Sequence, residues 1–249
     1  MLKGKNIIKH FPNAITLLNL VSGCFSIASA FEGRLELAGL FILTASILDF
    51  LDGFSARLVG AYTQLGKELD SLSDVVSFGV APAMILYQFM RQSLGIPQSE
   101  GLFDGHWLLA IPFIMAAFSS LRLGLFNIDD RQTSSFIGLP TPANAFFTAG
   151  LVFGVNSGWA NLFNTITSSS IALIVVTVVQ SFLLVCTLPM FSLKVKSLNF
   201  KTAYKQIILI AGVIVIAVIF RKAALSFITL WYILLSAIFH VKTLLVKNG

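Results

Sequence analysis

Apolar residues run in long blocks along this chain, with short polar or turn-forming clusters between them. The blocks lie at about residues 13–31, 37–58, 69–90, 107–127, 142–155, 171–188, 206–220 and 223–241. Runs of this character predict helices that cross a bilayer. The first breaks are the Glu32, Arg34 and Glu36 loop, a connecting turn from Leu58 to Lys67, and a polar loop from Arg91 to His106 with Gly95, Pro97, Gly101 and Gly105. Further on come FIGLPTPANA (136–145), an uncharged Asn/Ser/Thr-rich stretch (156–170), the lysine-bearing SLKVKSLNFKTAYK and the Arg221/Lys222 turn. Ahead of the first block, Lys3, Lys5 and Lys9 stand among Ile7, Ile8 and Phe11, which suits a short amphipathic helix on the membrane surface. The expected fold is an all-α integral membrane protein: a bundle of about eight transmembrane helices behind an N-terminal amphipathic surface helix. No strongly charged or Pro/Ser/Gly-rich linker interrupts the chain, so residues 1–12 are expected at the interface and 13–249 as a single transmembrane domain.

Composition removes the soluble alternatives. The chain is 56% hydrophobic and 11% charged, with a mean hydropathy of +0.87, far from an ordinary globular domain. Cys24 and Cys186 sit in apolar segments without metal-ligand spacing and read as small buried hydrophobes. The net charge of +6 comes from lysines and arginines placed between apolar spans, and no acidic residue follows Asp130. That placement favours anionic lipid headgroups as partners and excludes nucleic acid. With eight spans, one side of the membrane would hold Arg34, Arg91, Arg221 and Lys222, and the other every remaining basic residue of the 17. The positive-inside rule then puts both termini in the cytoplasm, with a cell (inner) membrane location. His106 and His240 fall at span ends and read as interfacial residues.

Against this apolar background, Asp49, Asp52, Asp70 and Asp74 contribute four of only 11 acidic residues. The first pair is spaced i,i+3 and the second i,i+4, so each pair shares one helix face. The short connection between their helices brings adjacent ends together, so the carboxylates converge at one depth. Intramembrane carboxylates need strong positive compensation. Hard oxygen ligands without Cys or His suit Mg²⁺ or Mn²⁺, with room for two ions. A structural ion-pair network with Arg57, Lys67 and Lys or Arg from other helices is the alternative, but two nearby bases do not neutralise four acids. Gly53, Ala56 and Gly66 leave space beside the carboxylates for a bulky ligand. Asn13, Thr16, Asn19 and Gly23 form a stripe on the first span, either for helix packing or to line a polar pocket. Arg122, isolated in an apolar run, calls for an anion from a neighbour or a bound phosphate, or else snorkels to the headgroups.

The positions Asp49, Asp52, Gly53, Ala56, Arg57, Gly66, Asp70 and Asp74 stand as D-x-x-D-G-x-x-A-R followed by G-x-x-x-D-x-x-x-D. This pattern resembles the signature of the CDP-alcohol phosphatidyltransferases. LDSLSDVVSFGVAPA (69–83), PNAITLLNLVSG, RLGLFN and FIGLPTPA are similar to stretches of that family's phosphatidylserine synthase branch, which carries a second arginine where Leu125 stands. The resemblance implies a CDP-linked diacylglycerol as phosphatidyl donor, L-serine as acceptor, CMP as leaving group, and a homodimer. It implies Asp49, Asp52, Asp70 and Asp74 as ligands of two divalent ions, with Asp74 also the general base. It further implies a nucleotide site of Asn19, Asp49, Gly53, Ala56, Arg57 and Gly66, and Arg122 as an acceptor or phosphate contact. Another acceptor, such as glycerol 3-phosphate or an inositol phosphate, is the alternative within the family. A cation-coupled transporter is the alternative outside it.

Overall fold

The structure is a computed structural model that describes residues 10–60, 63–128, 136–190 and 200–248. Most of the expected surface helix, residues 1–9, lies outside the described residues. Phe11 and Pro12 belong instead to the first long helix, α1 (Phe11–Phe31), with the proline in its opening turn, where a missing N–H costs nothing. Helix α2 (Leu35–Val59) returns alongside it and ends on Gly60, which takes the left-handed conformation (φ 65°) that closes a helix. The two are stitched by hydroxyl-to-carbonyl bonds, Ser22 Oγ to Phe41 O and Ser26 Oγ to Ala38 O, both 2.8 Å.

Helix α3 (Gln64–Ser93) begins earlier than the connecting turn read from the sequence allowed. The Thr63 side chain caps it by accepting from Gly66 N at 3.0 Å, so residues 64–67 are already helical. Directly after Asp74 the helix widens into a π turn (Val75–Val80) before resuming as Ala81–Ser93. Helix α4 (Phe113–Ile128) runs antiparallel to α3: Asn127 Nδ2 donates to Ser71 Oγ at 2.8 Å, and a Cβ on Gly79 would lie 3.0 Å from Ser119 Cβ.

Helix α5 (Thr141–Val155) is apolar but has only 15 residues, short of a full span. It is preceded by a strap, β1 (Phe136–Ile137), paired antiparallel with β2 (Pro189–Met190). Gly138 in that strap has φ +77° and lies against the carbonyls of Leu184 and Cys186, where no side chain fits. Inside the stretch read as an uncharged loop, residues Ala160–Thr167 form α6, which buries Phe163 and Thr167. It meets α7 (Ser170–Val185) at 87°. Helices α8 (Phe200–Phe220) and α9 (Ala224–Asn248) follow, joined by a tight turn at Arg221, a non-glycine residue with φ 47°. They fold back on each other: Tyr204 meets Phe239 edge-on at 5.8 Å, and Trp231 covers Gly212.

Among the described residues, five helical stretches are long and apolar enough to cross a membrane, the α8–α9 run from Tyr204 to His240 counted as one, or six if the bent α6–α7 pair counts as one span. The chain is therefore an all-α integral membrane protein. The main core lies between α1–α5 and α7, around Ile42, Phe78, Leu86, Met90 and Leu151. A smaller cluster of Leu139, Met190, Leu209, Tyr232 and Leu235 sits beneath the strap. Large apolar side chains such as Phe25, Ile47, Phe50, Val178 and Val218 face outward, as they do where the surroundings are lipid. The same logic corrects the reading of Cys24, which is exposed, while Cys186 is half-buried. In a bilayer an apolar residue gains little by turning inward.

Candidate active site

The polar end of the bundle is built where α1, α2 and α3 meet. Ser73 Oγ donates to Thr16 O at 3.2 Å and Ser77 Oγ to Asn19 O at 3.0 Å, which fixes α1 beside the carboxylate-bearing part of α3. Gly23 lets Ser77 approach so closely that a Cβ there would lie 2.8 Å from Ser77 Cα. The stripe on α1 thus serves both readings. Asn19 and Gly23 meet α3, while Asn13 and Thr16 line an open cleft.

Asp49 on α2 and Asp70 and Asp74 on α3 each offer a carboxylate oxygen within 4.8 Å of the others. Asp52, one turn from Asp49, is 6% exposed, and its Oδ2 has no hydrogen-bond partner among the described residues. Asp74 is 8% exposed and accepts a bond from Asn19 Nδ2 at 3.4 Å. Among the described residues no Lys, Arg or His nitrogen comes within 4.0 Å of any of these four carboxylates. Neither Arg57 nor Lys67 therefore pairs with them. Octahedral coordination of a hard cation at roughly 2.1 Å sets ligand oxygens about 3–4 Å apart, so small rotations of these carboxylates accommodate such an ion. The donor set, all hard oxygen, suits a divalent metal.

The cleft has a volume of about 220 Å³ and is lined by Pro12, Asn13, Thr16, Asp52, Gly53, Ala56, Thr63, Gly66, Lys67 and Asp70. Sites that engulf a whole drug-sized ligand run to roughly 300–1,000 Å³. This one is smaller than such a site and open at its mouth. Asp70 belongs to both the cleft and the carboxylate group, so the two are continuous. A Cβ on Gly53 would meet nothing closer than Arg57 at 3.9 Å, so packing does not require that glycine; what it provides is open space. At Gly66 a Cβ would press on Thr63 Oγ1 (3.0 Å) and Asn13 Oδ1 (3.1 Å).

Arg57 does not reach a carboxylate. Its Nε donates back to Gly53 O at 2.9 Å, leaving the exposed guanidinium near the rim of the cleft. Arg122 on α4 is buried, 6% exposed, within electrostatic reach of Asp74 and Tyr232, and its Nε is unpartnered among the described residues. It does not snorkel. Leu125, one turn on, is 44% exposed and points away from this interior. Sequence reasoning missed Thr63 and Lys67 as parts of the cleft. The first is the cap of α3, while the second anchors α3 to α4 through Lys67 Nζ to Asn127 O at 3.0 Å.

Residues 9–245 match the family model described as CDP-alcohol phosphatidyltransferase. The chain belongs to that family. Within the CDP-alcohol phosphatidyltransferases it is similar to three bacterial and archaeal proteins, each named CDP-diacylglycerol–serine O-phosphatidyltransferase. It is 35% identical to that of Mycobacterium leprae over 61% of this chain and 50% of the relative. It is 37% identical to that of Bacillus subtilis over 54% of this chain and 71% of the relative. Identity to that of Methanocaldococcus jannaschii is 36%, over 65% of this chain and 68% of the relative. The matched region thus spans half the length of the mycobacterial protein and about two-thirds of the other two.

Proposed function

We propose that this chain transfers the phosphatidyl group of CDP-diacylglycerol to the hydroxyl of L-serine, giving phosphatidylserine and CMP. The observation that carries the reading is the meeting of Asp49, Asp70 and Asp74 beside a cleft whose walls are Asp52, Gly53, Ala56 and Gly66. The names of the relatives supply donor and acceptor.

In this reading Asp49, Asp52 and Asp70 are the main ligands of a divalent metal, Mg²⁺ or Mn²⁺, and Asp74 adds to a second. Bound there, the ions would neutralise charge on the leaving phosphate and align the diphosphate. Gly53, Ala56 and Gly66 hold open the space for the nucleotide, flanked by Asn19, Asp49 and Arg57, while the acyl chains stay in the bilayer. Asn19 orients Asp74, which takes the serine hydroxyl proton. The serine oxygen bonds to the phosphorus bearing the diacylglycerol. The bond from that phosphorus to the oxygen bridging to CMP breaks, and CMP leaves with the electron pair. Arg122 supplies positive charge for the serine carboxylate or a phosphate.

The setting we propose is a homodimer surrounded by membrane lipids in the cell (inner) membrane. Each chain makes eight passages, with the segment ahead of α1 on the surface and the helices from α1 onward as the catalytic domain. Both termini and the aspartates face the cytoplasm, supported by the distribution of lysine and arginine. The test is CMP release from CDP-diacylglycerol by the detergent-purified full chain with Mn²⁺ or Mg²⁺, comparing L-serine, glycerol 3-phosphate and inositol phosphate. Serine-dependent release is expected, and Asp74→Asn should reduce it by at least about a thousandfold. Release with another acceptor would overturn the serine assignment alone. No release with any acceptor would return the aspartates to cation-coupled transport.

A further inference from the structure

A second polar surface is buried in the bundle away from the carboxylates. Helix α5 carries Thr141, Asn144 and Thr148 at i, i+3 and i+7, on one face, exposed by 1%, 0% and 0%. Among the described residues, neither threonine hydroxyl has a hydrogen-bond partner, nor does either end of the Asn144 amide. On α4, Ser119 and Arg122 are also buried, with Ser119 Oγ and Arg122 Nε unmatched. Buried polar atoms are matched in the great majority of cases, and an unmatched amide is costly to bury. Such a concentration on two helices points to a polar ligand.

Three relations place this surface next to Asp74. The antiparallel register of α3 and α4, fixed by Ser71 with Asn127 and Gly79 with Ser119, sets Arg122 opposite Val76, within one turn of Asp74. The Arg122 guanidinium interacts electrostatically with Asp74 and with Tyr232 of α9. One turn before Tyr232, and on the same face of α9, Thr229 Oγ1 donates to Ala143 O at 3.1 Å, which brings the first turn of α5 to that face. Helix α5 also packs on the π turn that follows Asp74.

We infer that Asn144 and Thr141, together with Arg122, seat the acceptor amino acid. This rests on the proposed reading of the chain as a transferase to serine. Asn144 Oδ1 accepts from the acceptor's ammonium group, Thr141 Oγ1 shares that load, and Arg122 holds the carboxylate, so that the acceptor hydroxyl is left to face Asp74. The charges balance: one guanidinium meets one carboxylate, and the remaining groups, Thr141, Asn144, Thr148 and Ser119, are neutral donors and acceptors. A phosphate dianion would find one cation on this surface. A zwitterion finds a partner for each of its groups.

The experiment uses the full chain in detergent with CDP-diacylglycerol and Mn²⁺, and two near-isosteric changes, Thr141→Val and Asn144→Leu. Because the groups removed have no protein partner, both variants should unfold at or above the wild-type temperature. The KM for L-serine should rise tenfold or more for Asn144→Leu and severalfold for Thr141→Val, with the KM for CDP-diacylglycerol within twofold of wild type. As a competitor of serine, 3-hydroxypropionate, which lacks the ammonium group, should keep its Ki within twofold in Asn144→Leu. An unchanged serine KM in variants of an active, serine-using protein overturns the seat alone. So does a parallel rise in both KM values, the mark of a structural role. A wild-type chain that does not use serine overturns the seat together with the serine assignment. Thr141→Val loses only a hydroxyl, so it decides the matter even if Asn144→Leu does not fold.

Discussion

Helix α3 and the α8–α9 hairpin are both apolar enough to cross a bilayer, yet 56% of the most apolar stretch of α3 is buried in the bundle, against 17% for the hairpin. The contacts differ in kind as well as amount. Helix α3 is held by hydroxyls on α1 carbonyls, by Gly23 against Ser77 and by Gly79 against Ser119. The two arms of the hairpin meet through rings and chains: Tyr204 on Phe239, Lys205 at 5.1 Å over Phe239, and Trp231 on Gly212. On its inner side α9 carries polar bonds, from Ser226 and Thr229 to α5. Lipid tails compete equally for apolar surface, so burial alone gives neighbouring helices little reason to choose one geometry. Small residues and directed hydrogen bonds do choose one, and they gather where carboxylates must be held in place.

That contrast can be broken most forcefully at Gly23. Gly23→Val drives a side chain into the Ser77 backbone, which cannot retreat without moving α3. A loss of about 1–3 kcal/mol in thermal unfolding in detergent, with CMP release down at least tenfold, is expected; a variant with normal rates would show that the α1–α3 contact does not position the carboxylates. A smaller effect belongs to Gly53. Replacing it by Ala fills cleft space without touching the chain, so stability should rise by roughly 0.5–1 kcal/mol, as for Gly→Ala in a helix, while the KM for CDP-diacylglycerol climbs severalfold. Stability and KM both unchanged would mean that the nucleotide lies elsewhere. Val218, 70% exposed on the hairpin, marks the other extreme. Val218→Ala should leave both unfolding and kinetics within about 0.5 kcal/mol of wild type, and a marked loss of activity would overturn the assignment of that face to lipid.

Much of this was legible from the residues themselves. Hydropathy located the long helices because twenty apolar residues have few other uses, and the paired spacing of Asp49/Asp52 and Asp70/Asp74 located the polar centre. What stayed hidden depends on information that a run of letters does not carry. The start of α3 turns on one hydroxyl, that of Thr63, accepting from the Gly66 N–H. Helix α6 has no charged residue to mark its outer face, so its period did not stand out from the surrounding Asn, Ser and Thr. Cys24 was placed inside because apolar residues go inside in water, a rule that lipid suspends. Asn144 lies in a stretch whose glycine and prolines drew attention to the backbone, and only the fold reveals that its amide is enclosed and unmatched.

The π turn at Val75–Val80 gives α3 two angular phases along one axis. Each residue of an α-helix advances the side-chain direction by about 100°, so a helix without the widened turn would keep one continuous phase from Gln64 to Ser93. Aligned on Asp70 and Asp74, it would swing Phe78, Ile85, Leu86 and Met90 off the dry core; aligned on the core, it would turn the carboxylates off Asp49. The residue accommodated in the wide turn uncouples the two demands. A single passage through the bilayer thereby works as two differently oriented surfaces, one wet and ionic, the other sealed.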